Sequence, residues 1–192
     1  MGLISIFDSR NVGYVLALAF VDFLGLGFLG TFLGSWCVEI GYGQDLVGTL
    51  SAISAASEIP ILLVSAALIR RFGEIRLLAF SCLAMAARLL LVGTGHIPVM
   101  MIGQLLQSLS YMTVYFSCVT YISKHTYPDT KARGQSVLAM IQSGLAMVIS
   151  NVLGGWLCDS YGMTVTFRIF AIAMVLGLVL VLFVMTVRQR DC

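Results

Sequence analysis

The sequence predicts an all-α membrane protein of six transmembrane helices arranged as a 3+3 inverted repeat. Three observations predict it: six apolar runs of about 20 residues, charges gathered mostly in the breaks between them, and a short pattern that recurs at the ends of the second and fifth runs. Of the 192 residues, 59% are hydrophobic and 10% are Asp, Glu, Lys or Arg, where a soluble domain carries about 25% charged residues. With a mean hydropathy of +1.00, the chain has too little polar surface to coat a water-soluble globule and too much apolar surface to stay disordered. Its net charge of +2 is small and scattered, which weighs against a nucleic-acid partner. Cys37, Cys82, Cys118, Cys158 and Cys192 sit singly, without zinc or redox spacing, and read as small packing residues.

The elements follow in order. The leader MGLISIFDSRNV has neither the basic start nor the cleavage site of a signal peptide. Ile6 stands where a myristoylation motif wants Ser or Thr, so the leader reads as a cytoplasmic lead-in. The first span, 13–36, holds Asp22, with Gly30 and Gly34 at small-xxx-small spacing, which predicts a close helix crossing. The second, 46–69, holds Glu58 and Pro60; the proline removes one helical hydrogen bond and frees the carbonyl of Ala56. The third, 77–95, holds Arg88. In the fourth, 99–122, Gln104 and Gln107 share a face, with Ser110, Tyr111 and Tyr115 farther along. Gln142 and Asn151 project from the fifth, 134–157, and Ala173 and Gly177 repeat the small-residue spacing in the sixth, 166–187. Connections are short, so residues 1–192 are expected to form a single bundle. A β-barrel is excluded because these runs are continuously apolar rather than alternating.

Basic residues set the orientation. Alternate connections hold Arg10, then Arg70, Arg71 and Arg76, then Lys124, Lys131 and Arg133, then Arg188 and Arg190. The opposite loops hold none apart from Arg168 just inside the sixth span. Both termini are therefore expected on the cytoplasmic side, with the plasma (inner) membrane as the expected location. After the second span the chain reads Ala67-Leu68-Ile69-Arg70-Arg71-Phe72-Gly73, and after the fifth Trp156-Leu157-Cys158-Asp159-Ser160-Tyr161-Gly162. Both place an aromatic and a glycine after the same Leu spacing, at the end of the middle helix of a three-helix set. On opposite membrane faces, that is the signature of an inverted repeat.

Asp22, Glu58 and Arg88 fall inside spans, where each costs about 2.5–3.5 kcal/mol at the helix centre unless the bundle interior supplies partners. At 1.5 Å per residue they lie about 14, 16 and 17 Å from the cytoplasmic ends of their expected helices, close to one depth. Glu58 and Arg88 can form a buried ion pair, and Asp22 is then a surplus acid that a proton, a cation or another basic residue must neutralise. The same charges and amides also serve simple helix packing. His96 and His125 fall in connections and no HExxH, GxSxG or P-loop occurs, so neither an enzyme, a metal site nor a cofactor is expected.

These residues resemble the second six-helix half of a transporter of the major facilitator superfamily, within its lactose-permease-like group of sugar and nucleoside proton symporters. The similarity rests on Glu58-Ile59-Pro60, Leu68-Ile69-Arg70-Arg71-Phe72-Gly73 with Arg88 fifteen residues on, Gln104-Leu105-Leu106-Gln107, the loop residues Pro128, Arg133 and Gln135, and Gly154-Gly155-Trp156-Leu157-Cys158-Asp159. It departs where that group carries a basic residue, His and Glu, at Gln104, Gln107 and Ser110, and at Arg70, where a gating aspartate is usual. The resemblance implies alternating access of a small polar solute, a sugar or nucleoside, with a proton. It implies a partner too: a second six-helix half from the same gene, a split gene or a second copy. Asp22, Glu58, Arg88, Gln104, Gln107, Tyr111, Gln142 and Asn151 are the candidate substrate and proton residues. Arg70, Arg71, Gly73, Asp159 and Gly162 are candidates in the gating loops. A non-transporting remnant or assembly subunit and an uncoupled facilitator remain the alternatives.

Overall fold

The computed structural model describes residues 12–127 and 130–190, with side chains to residue 187. Ile6 and Arg10 of the leader, Pro128, the side chains of Arg188 and Arg190, and Cys192 lie outside the described residues. Six helices long and apolar enough to cross a membrane follow one another: α1 (Val12–Glu39), α2 (Gln44–Phe72), α3 (Glu74–Val92), α4 (Ile97–Lys124), α5 (Lys131–Tyr161) and α6 (Met163–Arg190). There is no strand among the described residues. Most helices run a few residues past the apolar stretches, because helical hydrogen bonding continues into the interfacial region. The exception is α3, which stops at Val92 where Gly93 and Gly95 follow, the latter at φ 72°.

Each middle helix ends in the same way. Gly73 (φ 78°, ψ 156°) donates its amide to Ile69 O at 2.9 Å, and Gly162 (φ 79°, ψ 163°) donates to Cys158 O at 2.9 Å. The next helix starts at once, its fourth amide bonded back to the glycine carbonyl, Leu77 to Gly73 and Thr166 to Gly162. This backbone region is essentially closed to residues with a Cβ. The shared Gly of the two seven-residue patterns is therefore a shared piece of backbone geometry.

Two apolar clusters fill the interior. One joins α1, α3 and α6 around Phe28, Trp36, Met85, Phe167 and Phe170. The rings of Phe28 and Phe170 stack at 4.3 Å, and the Trp36 indole donates to Val92 O at 2.9 Å. The other gathers Val15, Leu18, Phe23, Cys82, Cys118, Tyr121 and Leu138 from α1, α3, α4 and α5. Cys37, Cys82 and Cys118 are buried as free thiols. On the basic side, Lys124 at the end of α4 pairs with Glu74 at the start of α3 at 2.5 Å. α2 runs unbroken past Pro60 and buries only Leu50.

Close crossings fall on other glycines than the first span's spacing suggests. A Cβ at Gly154 would lie 2.7 Å from Phe28, at Gly93 2.6 Å from Phe167, and at Gly177 3.0 Å from Val21. Gly30 and Gly34 have nothing within 4 Å of that position. The expected crossing there is corrected: the two glycines line an open cavity. Two π-helical turns, Ser108–Met112 in α4 and Met140–Ala146 in α5, interrupt the second three-helix set. In α4 the cause is visible, since Ser110 bonds to the carbonyls of Leu106 and Gln107, and Thr113 reaches Ser108 O at 3.1 Å.

Candidate functional site

A 450 Å³ cavity lies between α1, α2, α3 and α4. Its apolar wall comes from Leu26, Leu29, Leu33 and Val47, and Gly30 and Gly34 keep the α1 side low. Its polar wall is built by helical spacing. Ser51, Ser54 and Glu58 are three and four residues apart on α2, Gln104 and Gln107 are three apart on α4, and Arg88 reaches across from α3.

These side chains form one chain of hydrogen bonds. Ser54 Oγ donates to Gln104 Oε1 at 2.6 Å, and Arg88 Nη2 donates to the same oxygen at 2.5 Å. Arg88 Nη1 donates to Gln107 Oε1, and Gln107 Nε2 donates to Glu58 Oε1 at 2.9 Å. The direct contact between Glu58 and Arg88 that the sequence allows is thus corrected. The Gln107 amide stands between them, its oxygen on the cation and its nitrogen on the anion. That arrangement also fixes the amide's orientation, because only this orientation satisfies both charges. Arg88 is 4% exposed and Gln104 fully buried, whereas Glu58 is half-buried at the cavity wall. Arg88 Nε and Gln104 Nε2 have no partner among the described residues.

Asp22 sits elsewhere. It is buried between α1 and α3, faced by Ser81 and Cys82, and neither carboxylate oxygen has a hydrogen bond among the described residues. Cys82 precedes Arg88 by six residues, a rise of about 9 Å along α3 between their backbones, toward the basic end. Asp22 thus stands apart from the hydrogen-bond chain that joins Glu58, Gln107, Arg88 and Gln104.

The remaining candidates are dispersed. Asn151 Oδ1 accepts from Thr31 Oγ1 at 2.8 Å and so reaches the cavity rim, since Thr31 lines it. Tyr111 tilts against Tyr115 at 6.1 Å beside the second apolar cluster. Gln142 lies half-buried on the α5 π-turn. Arg70, Arg71 and Asp159 are exposed at the ends of α2 and α5, the Arg71 guanidinium 5.4 Å from the Phe72 ring centroid. Ser51, Ser54 and Thr31 were not singled out from the sequence. The i, i+3, i+7 spacing of Ser51, Ser54 and Glu58 is the signal that marks them.

The model of the MFS_1 like family matches residues 1–169 of the chain.

Proposed function

The chain belongs to the MFS_1-like family, a family of multi-pass membrane transporters, and from that premise we propose that it carries a small polar solute by alternating access, a sugar or nucleoside moving in symport with a proton across the plasma membrane. The observation that carries this reading is the Glu58–Gln107–Arg88–Gln104 chain on a cavity wall. An anion and a cation held apart by an amide present an acceptor and several donors at one place, which suits a solute rich in hydroxyls. Arg88 donates to solute oxygens, and Glu58 accepts from a solute hydroxyl or takes the proton. Protonation turns its carboxylate from an acceptor alone into a donor and acceptor, so Gln107 and solute meet a different partner in each state. Asp22 is the second candidate proton site, behind the cavity. Tyr111, Gln142 and Asn151 are further solute-facing candidates in states other than this one. The helix ends around Arg70, Arg71 and Gly73, and around Asp159 and Gly162, are the candidate gates.

A second six-helix half completes the cavity in this reading. Ile59, Leu62 and Leu63 of α2 and Met140, Val148, Val152 and Trp156 of α5 are exposed, an apolar surface that such a half covers. It comes from the same gene, a separate product or a second copy.

The test uses membrane vesicles from cells making the protein. Adding a transported sugar or nucleoside should move protons with the solute, read by a pH dye. Solute flux without pH change would make the protein an uncoupled facilitator, and absence of flux across sugars and nucleosides would leave the charges a packing role.

A further inference from the structure

A second cavity lies nearer the Gly73 end of α2 than the first, in the groove between α2, α3 and α4. Its volume is 370 Å³, and it is lined by Ile61, Leu68 and Phe72 of α2, Arg76, Leu77 and Phe80 of α3, and Leu109 and Thr113 of α4. All but two of these side chains are hydrocarbon. The Thr113 hydroxyl is already spent on Ser108 O in the π-turn, so among the described residues Arg76 is the one free polar group in the groove. Arg76 is exposed and makes no hydrogen bond or ion pair among the described residues. It stands at the Gly73 end of the groove, and Arg71, lying over the ring of the lining residue Phe72, brings a second guanidinium to the same end.

We propose that this groove binds one anionic phospholipid from the cytoplasmic leaflet, an acyl chain lying along Ile61, Leu68, Phe80 and Leu109 and the phosphate meeting Arg76 and Arg71. Charge and shape both argue for that occupant. The basic residues of this connection mark the cytoplasmic side, whose leaflet is anionic, and basic pockets between helices there are the sites that take acidic headgroups. A single acyl chain is narrow enough, and water has no partner in the groove beyond Arg76. The proposal does not depend on which solute the first cavity takes.

The test is quenching of a tryptophan placed in the groove, Phe80→Trp, by brominated lipids in reconstituted vesicles, with the unsubstituted protein as background for Trp36 and Trp156. Brominated phosphatidylglycerol should quench the added fluorescence at about fivefold lower mole fraction than brominated phosphatidylcholine, and Arg76→Gln should remove that preference. Equal quenching by both lipids, a preference that survives Arg76→Gln, or no quenching would overturn the proposal. Native mass spectrometry of the unsubstituted protein guards against a misfolded variant. One phosphatidylglycerol retained through delipidation is expected, and retention of neither lipid, or of both alike, contradicts it.

Discussion

Replacing Gln107 with Leu removes the middle link between Glu58 and Arg88 while keeping side-chain volume and helix propensity nearly constant. Two hydrogen bonds to charged groups go, each contributing about 1.5–3 kcal/mol. Their fates differ. Glu58 is half-buried at the cavity, and water can replace the amide there. Arg88, at 4% exposure, has little such access and keeps a donor unpartnered on the cavity's polar wall. The net loss is therefore set by the arginine side, about 1.5–3 kcal/mol, which for a chain of this size lowers the thermal midpoint by about 3–12 °C. Unfolding of the purified protein, followed by a thiol-reactive dye reporting the buried cysteines, measures it. Gln142→Leu is the control: Gln142 has no hydrogen bond among the described residues, and its substitution should stay within about 2 °C of the parent. A Gln107→Leu midpoint equal to that of the control would refute the bridge.

The glycines supply two further predictions. Gly154→Ala puts a methyl 2.7 Å from Phe28 and 2.9 Å from Phe32, inside a stacked aromatic group, and should destabilise by about 1–3 kcal/mol. Gly30→Ala meets nothing within 4 Å and should stabilise by up to about 1 kcal/mol; equal effects of the two in thermal unfolding would deny the packing described. Gly73→Ala and Gly162→Ala should each cost about 1–3 kcal/mol, and by similar amounts because their backbones match. Tolerance at one site and collapse at the other, seen in chemical denaturation, would break the equivalence of the two three-helix sets.

Much of the fold was legible because hydrophobicity and helix ends are local properties. Six apolar runs long enough to span, and the glycines after Phe72 and Tyr161, need no knowledge of tertiary contacts. The candidate site was legible in pieces. Gln104 and Gln107 share a face by spacing alone, and Glu58 and Arg88 stand out as charges in hydrocarbon. Their connectivity was not, because whether an amide enters between two charges depends on how α2, α3 and α4 cross. Asp22 shows the same limit: its neighbours are decided by α1 packing on Ser81 and Cys82. Gly30 and Gly34 carry a spacing that fits a helix contact or an open cavity equally well. The α4 π-turn was hidden because serine and threonine bend a helix only when their hydroxyls turn back onto the backbone.

Solute accumulation by Glu58→Gln, measured beside solute exchange in the same membrane vesicles, bears most directly on the proposed coupling. The amide keeps an acceptor and the shape of the carboxyl but cannot take the proton, so uphill accumulation should be lost while equilibrium exchange persists. Accumulation equal to that of the parent protein would remove Glu58 from coupling and leave the chain of hydrogen bonds a structural role alone.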